Sequence, residues 1–370
     1  MKLAVISNVS GCTWAGSEVV WLLAASRALR KGHEVTAILH ADIAKSRQVA
    51  EFVNQGGQVR IWKPLSIARL QRFKELVHPT FPKGLLKSFG AVLVSLGSLP
   101  SLTYVPGLAK GLLVADVPII LFCQFNAGHL AVSPCERELV RRVMERSAAC
   151  AFLSQRNLDE ARRQYAIEPP GAVIISNPIR TVLDQPLAWP ETREKVKFAS
   201  VARFETAWKG QDVLLDILRR PPWLARNWHL TFYGSGQDES HLRRLVELFQ
   251  IQDRVTFAGF VNGLGEIWEQ NHLLVMPSHG EGMPLAALEA MMFGRPVLLS
   301  DVGGSAELIE EGKTGFLAEV STVTSFGNAM ERAWVDREQW REMGLAAHEA
   351  ARKIVALDAT GQLLDVWDHH

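Results

Sequence analysis

The sequence predicts an α/β protein built from two parallel-sheet domains in tandem. Three observations carry that prediction. Short β-branched runs alternate with helix-spaced apolar patterns, the signature of parallel strands joined by crossover helices. The alternation halts at DQPLAWPETREK, residues 184–195, which is polar, holds two prolines and has no periodicity; beyond it the pattern restarts. The chain has 370 residues, 48% hydrophobic and 21% charged. That is enough for two buried cores at roughly 100–200 residues per domain.

In chain order, KLAVIS is the first strand. SEVVWLLAASRALRKG follows with apolar residues at helical spacing and stops at Gly32, a helix-ending residue. HEVTAILH, AVLVSLG, PIILFCQF, ACAFLS and AVIISN read as further strands, with QRNLDEARRQYAI as a helix between the last two. After the linker, VKFASVARF, WHLTFYGSG, RVTFAGF, HLLVMPS and RPVLLSD read as strands. QDVLLDILRR, ESHLRRLVELFQI, LAALEAMMF and SAELIEEG read as helices. Ligands of such sheets bind beyond the carboxyl ends of the strands, so the chemistry is sought in the loops that follow them.

The formal net charge of +1 conceals an asymmetry. Residues 1–180 hold 22 basic and 12 acidic residues, whereas 181–370 hold 18 and 27. A basic half points to an anionic partner. Its densest part is 60–90, where Arg60, Lys63, Arg69, Arg72, Lys74, Lys83 and Lys87 face Glu75 alone and Trp62, Phe73, Phe81 and Phe89 interleave. Such a stretch suits an anionic membrane surface or a charged acceptor. An ordinary solvated helix face with core aromatics fits equally, and no nucleic-acid motif accompanies it. No run reaches the ~18 apolar residues of a membrane span. MKLAVIS reads as a strand rather than a signal peptide. Cys12, Cys123, Cys135 and Cys150 show no CxxC spacing. A cytoplasmic protein is expected, at most peripheral on the inner face of a membrane.

The most informative stretch is MPSHGEGMPLAALEAMMFGRPVLLSDVGGSAELI. Glu281 ends the loop after HLLVMPS, and Gly282, Met283, Pro284 and Leu285 lead into a helix that contains Glu289. Backbone N–H groups at that helix start can bind a diphosphate, and a carboxylate in the loop can accept hydrogen bonds from sugar hydroxyls. Upstream, VARFETAWKGQDVLLDIL carries Arg203 and Lys209 with five residues between them. Two fixed cations neutralise a departing diphosphate. Together these motifs resemble the donor site of retaining GT-B glycosyltransferases of family 4, the glycosyl transferases group 1. The resemblance is most specific over about residues 200–320.

The resemblance implies two Rossmann-like domains facing across a cleft. It implies an acceptor-binding domain over 1–185, a nucleotide-sugar-binding domain over 186–350, and a C-terminal helix over 351–370 returning to the first domain. By the same resemblance Glu281 contacts the donor sugar, Glu289 the nucleotide ribose, and Arg203 and Lys209 the diphosphate. Glu281, Arg203 and Lys209 then form the catalytic set, with Gly282, Met283, Pro284, Leu285 and Glu289 binding donor. GCTWAGSEVVWLL resembles the family's glycine loop and gives Gly16 a place beside the donor. Many members carry a histidine after the strand matched by PIILFC; this chain has Gln124 there, followed by Asn126 and His129. Those three are the candidates for a sugar contact in the first domain, and Gln124 cannot carry a proton.

The expected activity is transfer of a sugar, with retention, from a nucleoside-diphosphate donor to a glycan or lipid-linked hydroxyl. No protein-bound cofactor and no metal are expected, since no HExxH or paired His/Cys spacing appears. Two other readings share the architecture. A nucleotide-sugar 2-epimerase would need acid/base residues in the cleft. A nucleotide-sugar-binding pseudoenzyme is suggested by Gln124.

Overall fold

The computed structural model describes residues 1–9, 14, 16–62, 85–105, 107–126, 128, 131–179, 181–191, 195–261 and 263–369. They form two compact units, Met1–Pro178 with Asp358–His370, and Ile179–Leu357. The chain therefore passes between units twice. The division falls at 178/179 and 357/358, displaced from the expected 185/186 and 350/351. The displacement has local causes: residues 351–355 complete the helix Trp340–Val355, and the segment before Pro190 is anchored in the second unit.

In the first unit the strands are β1 (Lys2–Ser7), β2 (Glu34–His40), β3 (Gln58–Trp62), β4 (Ala91–Leu96), β5 (Ile119–Cys123), β6 (Ala149–Phe152) and β7 (Val173–Ile174). They form one parallel sheet in the order β3-β2-β1-β4-β5-β6-β7. Parallel neighbours need long crossovers, which is why a helix such as Glu18–Arg30 separates β1 from β2. Strands covered on both faces become continuous apolar runs; β4 and β5 are buried at every position.

The second unit repeats the plan with β8 (Val196–Val201), β9 (Trp228–Tyr233), β10 (Val255–Gly259), β11 (Leu273–Met276), β12 (Val297–Ser300) and β13 (Gly315–Ala318). Their parallel order is β10-β9-β8-β11-β12-β13. The winding reverses between β1 and β4 in one sheet and between β8 and β11 in the other. Sheets of this kind bind ligands beyond the strand ends at such a point. Each unit has its own core, around Val92, Leu121 and Phe152 in the first and Phe198, Trp228 and Phe232 in the second.

Several elements differ from expectation. β3 and β13 carry no sequence signal strong enough to be read, and AVIISN shrinks to the two residues of β7. SAELIEEG is helical only over Ser305–Leu308. The polar linker is not a free tether. The fully buried guanidinium of Arg295 donates to the carbonyls of Leu187 (3.3 Å) and Ala188 (2.7 Å) and to those of Trp268, Asn271, Phe293 and Gly294, beneath the Trp189 ring. Burial lowers its pKa to about 10, so the group stays charged at neutral pH and carbonyl dipoles solvate it in place of water.

The chain's last helix, Ala359–Asp368, belongs to the first unit. It buries Leu363, Leu364 and Trp367 completely and packs against the helix Glu18–Arg30. Arg27–Asp358 (2.5 Å), Lys31–Asp365 (3.8 Å) and His33–Asp368 (3.4 Å) border that contact. Of the basic stretch 60–90, residues 63–84 lie outside the described ones; Arg60 sits 5.8 Å over the Phe89 ring and Lys87 is exposed. Among the described residues, no helix is long and apolar enough to cross a membrane.

Candidate functional site

The second sheet brings two of the predicted residues, Lys209 and Glu281, together at its switch point and places Arg203 on the loop beside them. The loop after β8 carries Arg203 and ends in the short helix Thr206–Lys209; the loop after β11 carries Glu281. Because β8 and β11 are neighbours, these loops lie side by side. Lys209 Nζ donates to Glu281 Oε1 at 2.7 Å, and Ser278 Oγ donates to the same oxygen at 2.8 Å. Both charged side chains are largely buried, at 19% and 10% exposure. Arg203 differs: its guanidinium is 66% exposed and 3.1 Å from Glu205.

Close backbone packing fixes these loops. Gly210, directly after Lys209, has φ +61°, and a Cβ there would collide with the Pro277 carbonyl. Gly303 has φ +51°, and its Cβ would collide with the carbonyl of Glu281. Only glycine accepts both demands at once. His279 N–H donates to the Trp208 carbonyl at 2.8 Å and Gly304 N–H to that of Gly282 at 2.6 Å. Ser300 Oγ holds the Ser278 carbonyl at 2.5 Å, and Ser321 Oγ that of Pro277. Gln211 Nε2 holds the Arg203 carbonyl at 2.8 Å. The loop after β11 is thus pinned from β12 and from the loops after β8 and β12.

Gly282 and Met283 continue that loop, Pro284 caps the helix Leu285–Met292 without a side-chain hydrogen bond, and Glu289 lies half-buried on that helix. A first turn whose N–H groups lack a side-chain cap, preceded by a pinned loop, offers donors and a positive dipole end to an anion. The arrangement supplies an ammonium, a carboxylate, a hydroxyl and a helix start on one rim, with Arg203 reaching out from it. That set matches the chemistry of a polyol joined to a diphosphate.

The first-unit candidates sit differently. Gly16 is exposed in the turn before the helix Glu18–Arg30, where its carbonyl accepts from Val19 N–H at 3.2 Å. Gln124 is buried; its amide nitrogen donates to the Ser17 carbonyl and, at 2.8 Å, to Ser95 Oγ. In this position its amide nitrogen ties β5 to β4 and to the start of the helix, and its amide oxygen keeps acceptor capacity. Asn126 is buried, and its side chain has no hydrogen-bond partner among the described residues. His129 lies outside the described residues.

Sequence reading names neither Ser278 nor Glu18. Ser278 stands three residues before Glu281, an S-x-x-E spacing that usually announces a capping box; here the hydroxyl serves the carboxylate directly. Glu18 is fully buried and accepts from Trp21 Nε1 at 2.9 Å. Desolvation raises its pKa to about 6 against the opposing hydrogen bonds from Trp21, Ser7 and Ser17. Among the described residues no group of three or more His, Cys, Asp or Glu could hold a metal ion.

Residues 195–336 match the model of the protein family described as glycosyl transferases group 1. An uncharacterized glycosyltransferase of Haemophilus influenzae is 32% identical over 118 residues, covering 32% of this chain and 33% of that protein. The N-acetyl-alpha-D-glucosaminyl L-malate synthase of Bacillus anthracis is 34% identical over 121 residues, covering 33% of this chain and 32% of that one. The chain thus spans about a third of the length of these curated relatives. The crystal structure of Anabaena HepE in complex with UDP and glucose covers 100% of both chains with a TM-score of 0.73 at 15% identity, a likeness of fold. Two Rossmann-like sheets of parallel strands in the GT-B manner thus accompany a match of residues 195–336, the part that carries the Arg203, Lys209 and Glu281 loops, to the glycosyl transferases group 1 model.

Proposed function

We propose that the protein is a retaining glycosyltransferase that moves a sugar from a nucleoside-diphosphate donor to a hydroxyl of a glycan or lipid-linked acceptor. The observation that carries this reading is the Lys209–Glu281–Ser278 cluster beyond β8 and β11. Glu281 is held with one oxygen engaged by Lys209 and Ser278, which leaves acceptor capacity on the carboxylate for donor-sugar hydroxyls. Lys209 and the exposed Arg203 neutralise the diphosphate, helped by the start of the helix Leu285–Met292. Glu289 takes the ribose.

As the bond between the anomeric carbon and the diphosphate oxygen breaks, negative charge grows on that oxygen and the cations stabilise it. The acceptor oxygen bonds to the same face of the anomeric carbon and its proton passes to the departing diphosphate, so configuration is retained. No side-chain base is required by this route. The basic first half supports an anionic acceptor. For a lipid-linked acceptor, the stretch 60–90 would meet an anionic membrane on its cytoplasmic side, tested by sedimentation with anionic but not neutral liposomes.

Incubation with radiolabelled nucleotide sugars and a membrane extract tests the whole reading. Label transferred to lipid or glycan is the expected result. An isomerised free nucleotide sugar would mean an epimerase, and binding without turnover a pseudoenzyme; either outcome overturns it.

A further inference from the structure

We propose that Asp238 is a positioning residue for the diphosphate-binding cations, acting through Thr206; this rests on the donor-site reading above. Lys209 closes the four-residue helix Thr206–Lys209, whose first N–H groups have no partner within the helix. The residue at its N-cap, Glu205, makes no capping bond with its side chain, which faces Arg203 instead. The acceptor arrives from another loop. Asp238, after β9, accepts through one oxygen from Thr206 N–H at 2.8 Å and from Thr206 Oγ1 at 3.0 Å.

The backbone completes the connection. Asp238 N–H donates to the Phe204 carbonyl at 3.1 Å, and Phe204 N–H donates to that of Ser235 at 3.0 Å. Four hydrogen bonds therefore join the loop after β9 to Phe204 and Thr206, two of the three residues that follow Arg203. Holding both the N–H and the hydroxyl of Thr206 fixes its backbone and its side chain together. From there a single helical turn leads to Lys209, whose own N–H donates to the Glu205 carbonyl at 2.8 Å. A shift at the start of that turn displaces the ammonium from Glu281 and from any phosphate it meets. By its charge alone, a carboxylate in a loop beside an anion site opposes anion binding. Its contribution is therefore as a hydrogen-bond acceptor, and an uncharged acceptor should replace it.

The test uses the full chain and titration calorimetry. The ligand pair is whichever of UDP, GDP, ADP and dTDP gives the largest thermal shift, together with its parent nucleoside. Asp238→Ala should lose about tenfold in diphosphate affinity, within the usual range for coupled neighbours, while nucleoside affinity stays unchanged. Asp238→Asn should stay within about twofold of the parent, because the amide oxygen can still accept both bonds. Thr206→Val, which keeps the backbone bond and removes the hydroxyl, should give a smaller loss of the same selectivity. The pair Asp238→Ala with Lys209→Ala should bind no worse than Lys209→Ala alone. A parental affinity in Asp238→Ala beside a loss in Lys209→Ala overturns this inference and leaves the donor site standing. Equal losses for diphosphate and nucleoside would make Asp238 a ligand contact or a fold residue, and also overturn it. A parent chain that binds none of the four diphosphates overturns the donor-site reading and this inference with it.

Discussion

Glu281 and Lys209 hold each other in a largely buried pair, and each is chemically useful only while so held. A carboxylate stripped of Lys209 would keep Ser278 Oγ as its remaining described donor, and would turn toward solvent. Glu281→Gln keeps the shape and loses the charge. It leaves the largely buried Lys209 ammonium without its counter-charge, so it should lower the thermal transition of the second unit, and it should cut turnover at least about tenfold, a loss of about 1.4 kcal/mol in the transition state. Turnover at the parental rate would remove Glu281 from the reaction. Glu18 is a buried carboxyl of a different kind, whose hydrogen-bond partners among the described residues are the uncharged Trp21, Ser7 and Ser17. Its pKa of about 6 exceeds the ordinary 4.5, so between those values the folded chain holds a proton that the unfolded chain releases. The stability this lends is fully present below about pH 4.5 and is lost as pH rises through about 6. The gap is worth about 2 kcal/mol. Glu18→Gln should therefore gain on the parent by about that amount between pH 4.5 and pH 7 in urea unfolding of the first unit. A stability difference that stays flat with pH would contradict the burial argument.

At the scale of elements, legibility follows the length and periodicity of each segment. The helix Glu18–Arg30 and the strands β4, β5 and β12 can be read because burial demands an apolar pattern several residues long. β13 is four residues, GFLA, too short for a period to show, and it lies at the sheet edge beside β12, so pairing alone defines it. The site divides the same way. Arg203, Lys209, Glu281 and the glycines beside them form local motifs; the Lys209–Glu281 bond spans 72 residues and the carbonyl cage of Arg295 reaches across 108, so neither leaves a local trace. Gly303 connects element to function, since its backbone fits under the Glu281 carbonyl. Gly312 offers a control, with φ +71° and no atom near the place of a Cβ. Gly312→Ala should lose only about 1–2 kcal/mol from the left-handed conformation and retain turnover. Gly303→Ala should destabilise the second unit further and lose turnover sharply, because the loop holding Glu281 must move. Equal effects of the two substitutions on turnover would show that this packing does not govern the site.

At the scale of the whole molecule, each unit has its own sheet and its own buried cluster, so unfolding should proceed in two calorimetric steps rather than one. The two steps can be assigned separately. A nucleoside diphosphate bound to the second unit should raise that step alone, by about 2.7 kcal/mol at a hundredfold excess over Kd, or about 5–10 °C for a unit of this size. Truncation after Leu357 should act on the other step. It removes the helix Ala359–Asp368, with Leu363, Leu364 and Trp367 buried in the first unit, and ends the ion pairs to Arg27 and Lys31 and the contact of Asp368 with His33. Three fully buried apolar side chains represent about 5–9 kcal/mol of transfer free energy, comparable with the whole stability of a domain. The exposed pairs of Arg27 and Lys31 add little to that. The truncated chain should accordingly lose the first-unit transition while keeping a second-unit transition that still shifts with nucleoside diphosphate. If ligand and truncation instead move one common transition, the two cores do not unfold independently.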